Sequence, residues 1–413
     1  MRFNINVGAV ATLLATLVTL QSMGAGPAYA SHRAGALPST AVNVRSFGAQ
    51  GNGIADDTTA IQNAANFAAG SRRSLFFPPG TYLHGGFITF NGVAVNGSGT
   101  ASVLLAADNN STAVALTGSN PSIQNMVISS AGLGLATAAP ATSTILVQNA
   151  NSFTVANDTI VQGQNRVGVY ILSSSTGVVN ACAFDGSGFS GDTGAVIVQS
   201  HNVSIENSLF QNEGSGIFID GVAPACQSIA LLSNTIGNVS FPTGAFAVDA
   251  EGATDLDIAQ NTIQMASPTF GVAIAATSNN NANIAGNNIW GSQQGIRVEA
   301  AGSGANFVNQ NLVHNCGLQG IVALNLPTTA IQITANQFGE VGLFTPGPSL
   351  EDAVILIAGD AASGANTFVQ NNSYQGHVNG LQSKVTCEFT TPHIPASNVT
   401  GNAQTQTALS DHI

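Results

Sequence analysis

Charge is what this sequence lacks. Only 7% of its 413 residues are Asp, Glu, Lys or Arg, against roughly a quarter in an ordinary soluble domain. Lys384 is the only lysine among eight basic residues. Nucleic-acid binding needs clustered Lys and Arg to neutralise phosphates, so that class is excluded. Tryptophan occurs once and cysteine four times. The spacings of Cys182, Cys226, Cys316 and Cys387 fit no zinc motif. They read as structural or free, or as two disulfides in one of three connectivities if the chain is exported. Beyond the N-terminus no apolar run is long enough to cross a bilayer.

What is present is apolar, small or neutral. Hydrophobic residues make up 44% and Gly contributes 46 positions. The polar remainder is mostly Asn, Ser, Thr and Gln, which stack and hydrogen-bond without repelling one another. This composition points to a repetitive all-β protein rather than a disordered one. The N-terminus has the form of an export signal: Arg2, the apolar run "VGAVATLLATLVTL" (7–20) and the small-x-small site "AYA" (28–30). The expectation is a signal peptide over 1–30, a mature chain that starts near Ser31, a flexible lead-in over 31–40 and a secreted protein.

A repeat runs along the chain, as in "ENSLFQNEGSGIFID", "QNTIQMASPTFGVAIA", "GNNIWGSQQGIRVE" and "QNLVHNCGLQGIVAL". Each unit has an Asn, a hydrophobic residue, a polar stretch, then Gly and a short apolar run. The leading asparagines are Asn207, Asn234, Asn261, Asn287, Asn311, Asn336 and Asn372, at successive differences of 27, 27, 26, 24, 25 and 36. A fixed period in this range marks a solenoid. The runs are too short for helical repeats and are rich in Val and Ile, which predicts three short strands per coil of a parallel β-helix. The 36-residue unit predicts an insertion at "FTPGPSLED" (344–352). The Asn is expected at a corner, because Asn tolerates φ > 0, and stacked asparagines can bond along the axis. The β-helix domain is expected over 41–385, its cap over 41–73, and a tail over 386–413.

A solenoid end must be covered or it will pair with other chains. "GIADDTTAIQNAANFAA" predicts the cover: Ala60, Ile61, Ala64, Ala65 and Ala68 share a helical face, Asp57 stands at the N-cap and Asp56 adds charge at the helix start. The following "SLFFPPGTYL" (74–83) reads as strand, turn and strand.

"SFGAQGNGIADDTTAIQNAA" followed by "LFFPPGTYL" resembles the N-terminal signature of the pectate lyase superfamily, in the variant shared by rhamnogalacturonase-like and epimerase-like members. The resemblance implies a single-stranded right-handed parallel β-helix that hydrolyses, eliminates, epimerises or binds glycans. The Asn-Thr-Asp, Asp-Asp, Gly-His-Gly and Arg-x-Lys elements of the members that cut polygalacturonan are not assembled here.

Strand alternation proposes a site. In "GIFID", Ile217 and Ile219 face inward, Phe218 and Asp220 outward. In "GAFAVDAE", Phe246 and Val248 are read as inward, Asp249 and Glu251 as outward; in "GIRVE", Arg297 and Glu299 point out. Gln199 and His201 are placed one coil earlier on the same face, and Ala273 and Ala275 form a shallow step. The result is a polar column in a chain with few charges. Asp220, Asp249, Glu299 and Arg297 are the catalytic candidates, with Asp220 and Asp249 side by side on adjacent coils. Gln199, His201, Glu251 and Tyr170 are the substrate-binding candidates. Paired carboxylates that flank a cleft are what glycoside hydrolysis needs. The bland alternative is a stripe of solvated decoration. Asp255 and Asp257, Asp185 and Asp192, solvated Glu206 and Glu213, a corner His314, and Trp290 are weaker candidates.

Two function classes follow. One is an exported polysaccharide-active enzyme, a hydrolase in first place, with a lyase, which can use Ca²⁺, or an epimerase as the alternatives and no other cofactor implied. The other is a non-catalytic β-helix that binds glycans or coats a cell surface. The expected partner in both is a polysaccharide, and the expected state is a monomer.

Overall fold

The structure, a computed structural model, describes residues 41–107, 112–130, 143–188, 191–221, 225–239, 245–269, 271–299, 304–324, 331–341, 354–358, 367–375, 387–389 and 399–404. The signal, the lead-in and the 344–352 insertion lie outside those residues.

Each coil supplies three strands. In one they are Val167–Leu172, Ser175–Asn180 and Ala183–Asp185. These pair in parallel with Thr193–Val198, His201–Glu206 and Leu209–Gln211 of the next coil. The stacks form a first, a second and a third sheet, and among the described residues the third contains 14 strands from Asn52–Asp56 to Ala403–Gln404. The fold is therefore an all-β parallel β-helix. Coil pairing continues past 385, because Ile355–Ile357 pairs with Cys387–Phe389 and Ser373–Tyr374 with Ala403–Gln404. One apolar core runs from Val42 to Tyr374 along the axis. Ile217 and Ile219 lie in it, as alternation predicts.

The repeating Asn and Gly have separate jobs. From Asn234 onward the stacked asparagines do not take the φ > 0 position expected of them from sequence; the residue before each does, and only Asn207 among the leading asparagines has positive φ, at 49°. Ser233, Gln260, Gln310 and Ala335 have φ of 55, 59, 55 and 56°, and the ladder Asn follows. Asn261 shows the reason. Its Nδ2 donates to Leu231 O at 2.9 Å and to Asn287 Oδ1 at 3.0 Å, and its N–H donates to the same Oδ1 at 2.9 Å. Each buried carboxamide thus satisfies the coils on both sides. The ladder continues through Asn311, Asn336 and Asn372 to Asn402. Upstream, Ser208 rather than Asn207 holds the position, and its N–H donates to Asn234 Oδ1. The repeat Gly of the first sheet is needed for close approach: a Cβ on Gly216 would lie 2.3 Å from Ala247 O.

Cys182, Cys226 and Cys316 are buried and unpaired. They fill small ladder positions: Cys182 N–H donates to Ser208 Oγ, and Cys316 Sγ lies 3.5 Å from Ser292 Oγ. The two-disulfide alternative fails for these three.

The N-terminal helix α1 spans Thr58–Ser71 and buries Ile61, Ala64, Ala65 and Ala68 in the core. Gln62 faces the strand Ile88–Asn91, donating to Thr89 O at 3.1 Å and accepting from Thr89 N at 2.9 Å. That carboxamide replaces a neighbouring strand at one point. The two aspartates exchange the roles expected of them. Asp57 occupies the N-cap position without a capping bond; its carboxylate is buried and accepts from Gln50 N and Gly51 N at 2.7 and 2.9 Å. Asp56 is the side chain that accepts from Thr58 N, at 2.9 Å. Asp57→Ala should therefore cost about 1–3 kcal/mol, since it strands buried donors that bond a charged group. Asp56→Ala should cost about 1 kcal/mol, the usual worth of a cap. Urea midpoints of the two variants check the order, and a larger loss at Asp56 would show the assignment to be inverted.

Candidate active site

The first sheet carries the candidate site. Its strands Ser215–Asp220, Phe246–Glu251 and Gln294–Glu299 share one burial rhythm: two buried residues follow the first, and alternation resumes after them. Strict alternation therefore misplaces the first residue of each strand. Phe246, expected inward, is only partly buried and lines the surface, because Ala247 and Val248 both face the interior.

Register fixes the outer columns. One reads Tyr170, Val196, Phe218, Asp249, Ala275, Arg297 along successive coils. The next pairs Leu172 with Val198 and Val198 with Asp220, and further on Glu251 with Thr277 and Thr277 with Glu299. Asp220 and Asp249 are on adjacent coils, as expected, but not side by side. Phe218 is the lateral partner of Asp249, so the two acids sit on a diagonal. Strand spacing and rise put their backbones about 8 Å apart rather than about 5 Å.

The diagonal borders a cleft of about 170 Å³ lined by Tyr170, Thr193, Val196, Ser215, Phe218, Asp220, Phe246 and Asp249. Val196 and Val198 point outward by register yet are only 6% and 8% exposed. With Val167, Tyr170, Leu172 and Phe218 they form a second apolar cluster, separate from the core. The cleft therefore has an apolar wall on its upstream side and acids on its downstream side. Burial, then the negative charge of Glu251, pushes the Asp249 carboxyl up to about 6, while Arg297 pulls the other way. Burial and the charge of Asp220 raise the Tyr170 phenol. Arg297 Nη2 forms an ion pair with Glu299, two coils from Asp249 and across the expected step at Ala275. Ala273 is buried rather than part of that step.

Two binding candidates fall away. Gln199 has φ of 50° and turns the corner after Val198. His201 starts the next strand on the second sheet, level with Ser175 and Gln227, and is exposed. The position next to Asp220 belongs to Val198, an outward valine that made the polar Gln199 look like the column's member. Tyr170 holds its place, and Glu251 stands exposed beside Asp249. Phe218, Phe246, Thr193 and Ser215 were not chosen as site residues from sequence; aligning the coils by register would have found Phe218.

The weaker candidates are dispersed. Asp255 and Asp257 accept from Asn281 and Asn283 on the second sheet. Trp290 stacks on His314 with centroids 5.8 Å apart on the third sheet, so His314 is a strand residue rather than a corner one. Glu213, expected to be solvated, is fully buried: Gln162 Nε2 donates to it at 2.6 Å, and desolvation raises its carboxyl far above the usual range. Asp192 is buried as well and accepts from Ser187 N at 2.8 Å. No group of three metal-ligating acids, His or Cys gathers among the described residues. No helix among them is long and apolar enough to cross a membrane.

Residues 41–238 match the family described as "Rhamnogalacturonase A/epimerase, pectate lyase-like". The chain is a parallel β-helix, and just under half of it carries that pectate lyase-like family match. No curated protein sequence matches it. Solved structures share the fold of this pectate lyase-like chain at low identity. A surface adhesin of Streptococcus pneumoniae, PfbA, is 18% identical over 73% of this chain and 92% of its own, with a TM-score of 0.58. The catalytic unit of a GH87 α-1,3-glucanase from Streptomyces thermodiastaticus strain HF3-3 is 15% identical over 85% and 71%, with a TM-score of 0.51. An exopolygalacturonase from Thermotoga maritima is 11% identical over 83% and 88%, also at 0.51.

Proposed function

We propose that this protein is an exported, monomeric glycoside hydrolase acting on a polysaccharide, with its cleavage site in the first-sheet cleft. The observation that carries the reading is the pair Asp220 and Asp249 against an aromatic wall. Asp249 is the general acid. Its carboxyl, raised to about 6, stays protonated in mildly acidic water and can pass a proton to the leaving oxygen. Asp220 is the base that activates water, and its diagonal offset leaves room for that water between the two groups. Phe218, Tyr170 and Phe246 offer apolar faces to a sugar ring. Arg297, tethered by Glu299, moderates Asp249 from a distance. Glycan processing among proteins with this fold supports the class of substrate, as with the glucanase and the exopolygalacturonase.

The test is a panel of polysaccharides incubated with purified protein, following both new reducing ends and 4,5-unsaturated product. Reducing ends without unsaturation are expected. Unsaturated product would replace the hydrolase with a lyase, and binding without turnover would leave a glycan-binding protein. The pH profile follows from the direction of the shift. A carboxyl raised from 3.8 to about 6 is charged only above that value, so activity that needs its proton should fall as pH rises through 6. In Asp249→Asn that limb should vanish. The same shift makes the fold's contribution from this group greatest below pH 3.8 and lost as pH rises through about 6.

A further inference from the structure

We infer that the ring held between Asp220 and Asp249 is an uncharged sugar rather than a uronic acid; this rests on the cleft being the glycan site. The cleft lining holds two carboxylates, two hydroxyl residues, three aromatics and a valine, and no cation. The other described cations do not line the cleft. Arg45 donates to Pro79 O, and Arg73 to Ala41 O. Arg72 is the residue that ends α1. Arg166 is completely buried. Arg297 lies two coils beyond Asp249 on the same column and carries Glu299 as its own counter-charge. His201 is on the second sheet and His314 on the third. His84 is buried near the N-terminus of the coil stack.

At neutral pH, where the Asp249 carboxyl raised to about 6 has lost its proton, a uronate placed here would bring a third negative charge into a partly desolvated space. One like charge about 6 Å away weakens binding roughly a hundredfold at the effective dielectric of a protein surface. Glu251, exposed beside Asp249, adds to that field. Neutral hexose rings meet no such penalty. Their C–H faces match Phe218, Tyr170 and Phe246, and their hydroxyls can reach Thr193 and Ser215. A volume of about 170 Å³ suits one ring rather than several, so discrimination is concentrated at a single sugar.

The experiment is calorimetric titration of the purified full chain at neutral pH and low salt. The probes are gluco-, galacto- and manno-oligosaccharides in several linkages, each beside its C6-oxidised uronate counterpart. The bound neutral series should exceed its uronate partner by roughly a hundredfold or more, and Asp249→Asn, which removes one like charge and leaves Asp220, should narrow that ratio by at least about tenfold. A uronate series that binds as well as its neutral partner, and loses binding in Asp249→Asn, overturns the substrate class while leaving the site standing. Binding unaffected by Asp249→Asn and Asp220→Asn, or no binding by any probe, overturns the site and this inference with it.

Discussion

Asp249→Asn and Asp220→Asn should each reduce glycan cleavage by about 10²- to 10⁴-fold, the usual cost of removing a positioned acid or base. Asn keeps the shape of Asp while it removes both proton transfer and negative charge. The two losses should differ in kind. Without Asp249 the alkaline limb of the pH profile disappears, because the group raised to about 6 is gone. Without Asp220 that limb stays. Asp255→Asn is the control: Asp255 lies on the second sheet, exposed, and accepts from the neighbouring-coil Asn281 at 3.0 Å. Initial rates on the cleaved polysaccharide decide the matter, and near-full activity in both variants would move the site elsewhere.

The largest effect on stability should come from Asn287→Leu, at about 3–5 kcal/mol. Asn287 Oδ1 accepts from Asn261 N and Nδ2, and Asn287 Nδ2 donates to Ile258 O at 2.8 Å and to Asn311 Oδ1 at 3.0 Å. Leucine has nearly the same size but leaves Asn261 and Ile258 with buried groups unpaired. Asn207→Leu should be far milder, because Asn207 is exposed and the ladder passes through Ser208 beside it. Chemical denaturation compares the two, and equal midpoints would show that the ladder carries no special weight.

These two substitutions also mark how far the sequence could be read. The coil period was legible because a stacked Asn and a close-approach Gly recur at the same place in each unit. The inward phase of Ile217 and Ile219 was legible because alternation holds at the end of the strand. The start of the strand was not, because its second and third residues both face the core. That is why Phe246 was placed inside. Lateral register was the other hidden quantity. Corners of unequal length set it, and no single strand reveals that Asp249 stands beside Phe218 rather than Asp220. Asp56 and Asp57 divided in the same way: their position at a helix start was plain, but the fold of the loop before them decided which one bonds Thr58.

A crystal structure of Asp249→Asn soaked with an oligosaccharide from the cleaved polymer decides whether the first-sheet cleft is the cleavage site. One sugar ring should lie against Phe218 and Tyr170, with a glycosidic oxygen within about 2.6–3.2 Å of the side chain at position 249, the reach a proton donor requires. Sugar density on another face, such as the stacked Trp290 and His314 of the third sheet, with the first-sheet cleft empty, would contradict it.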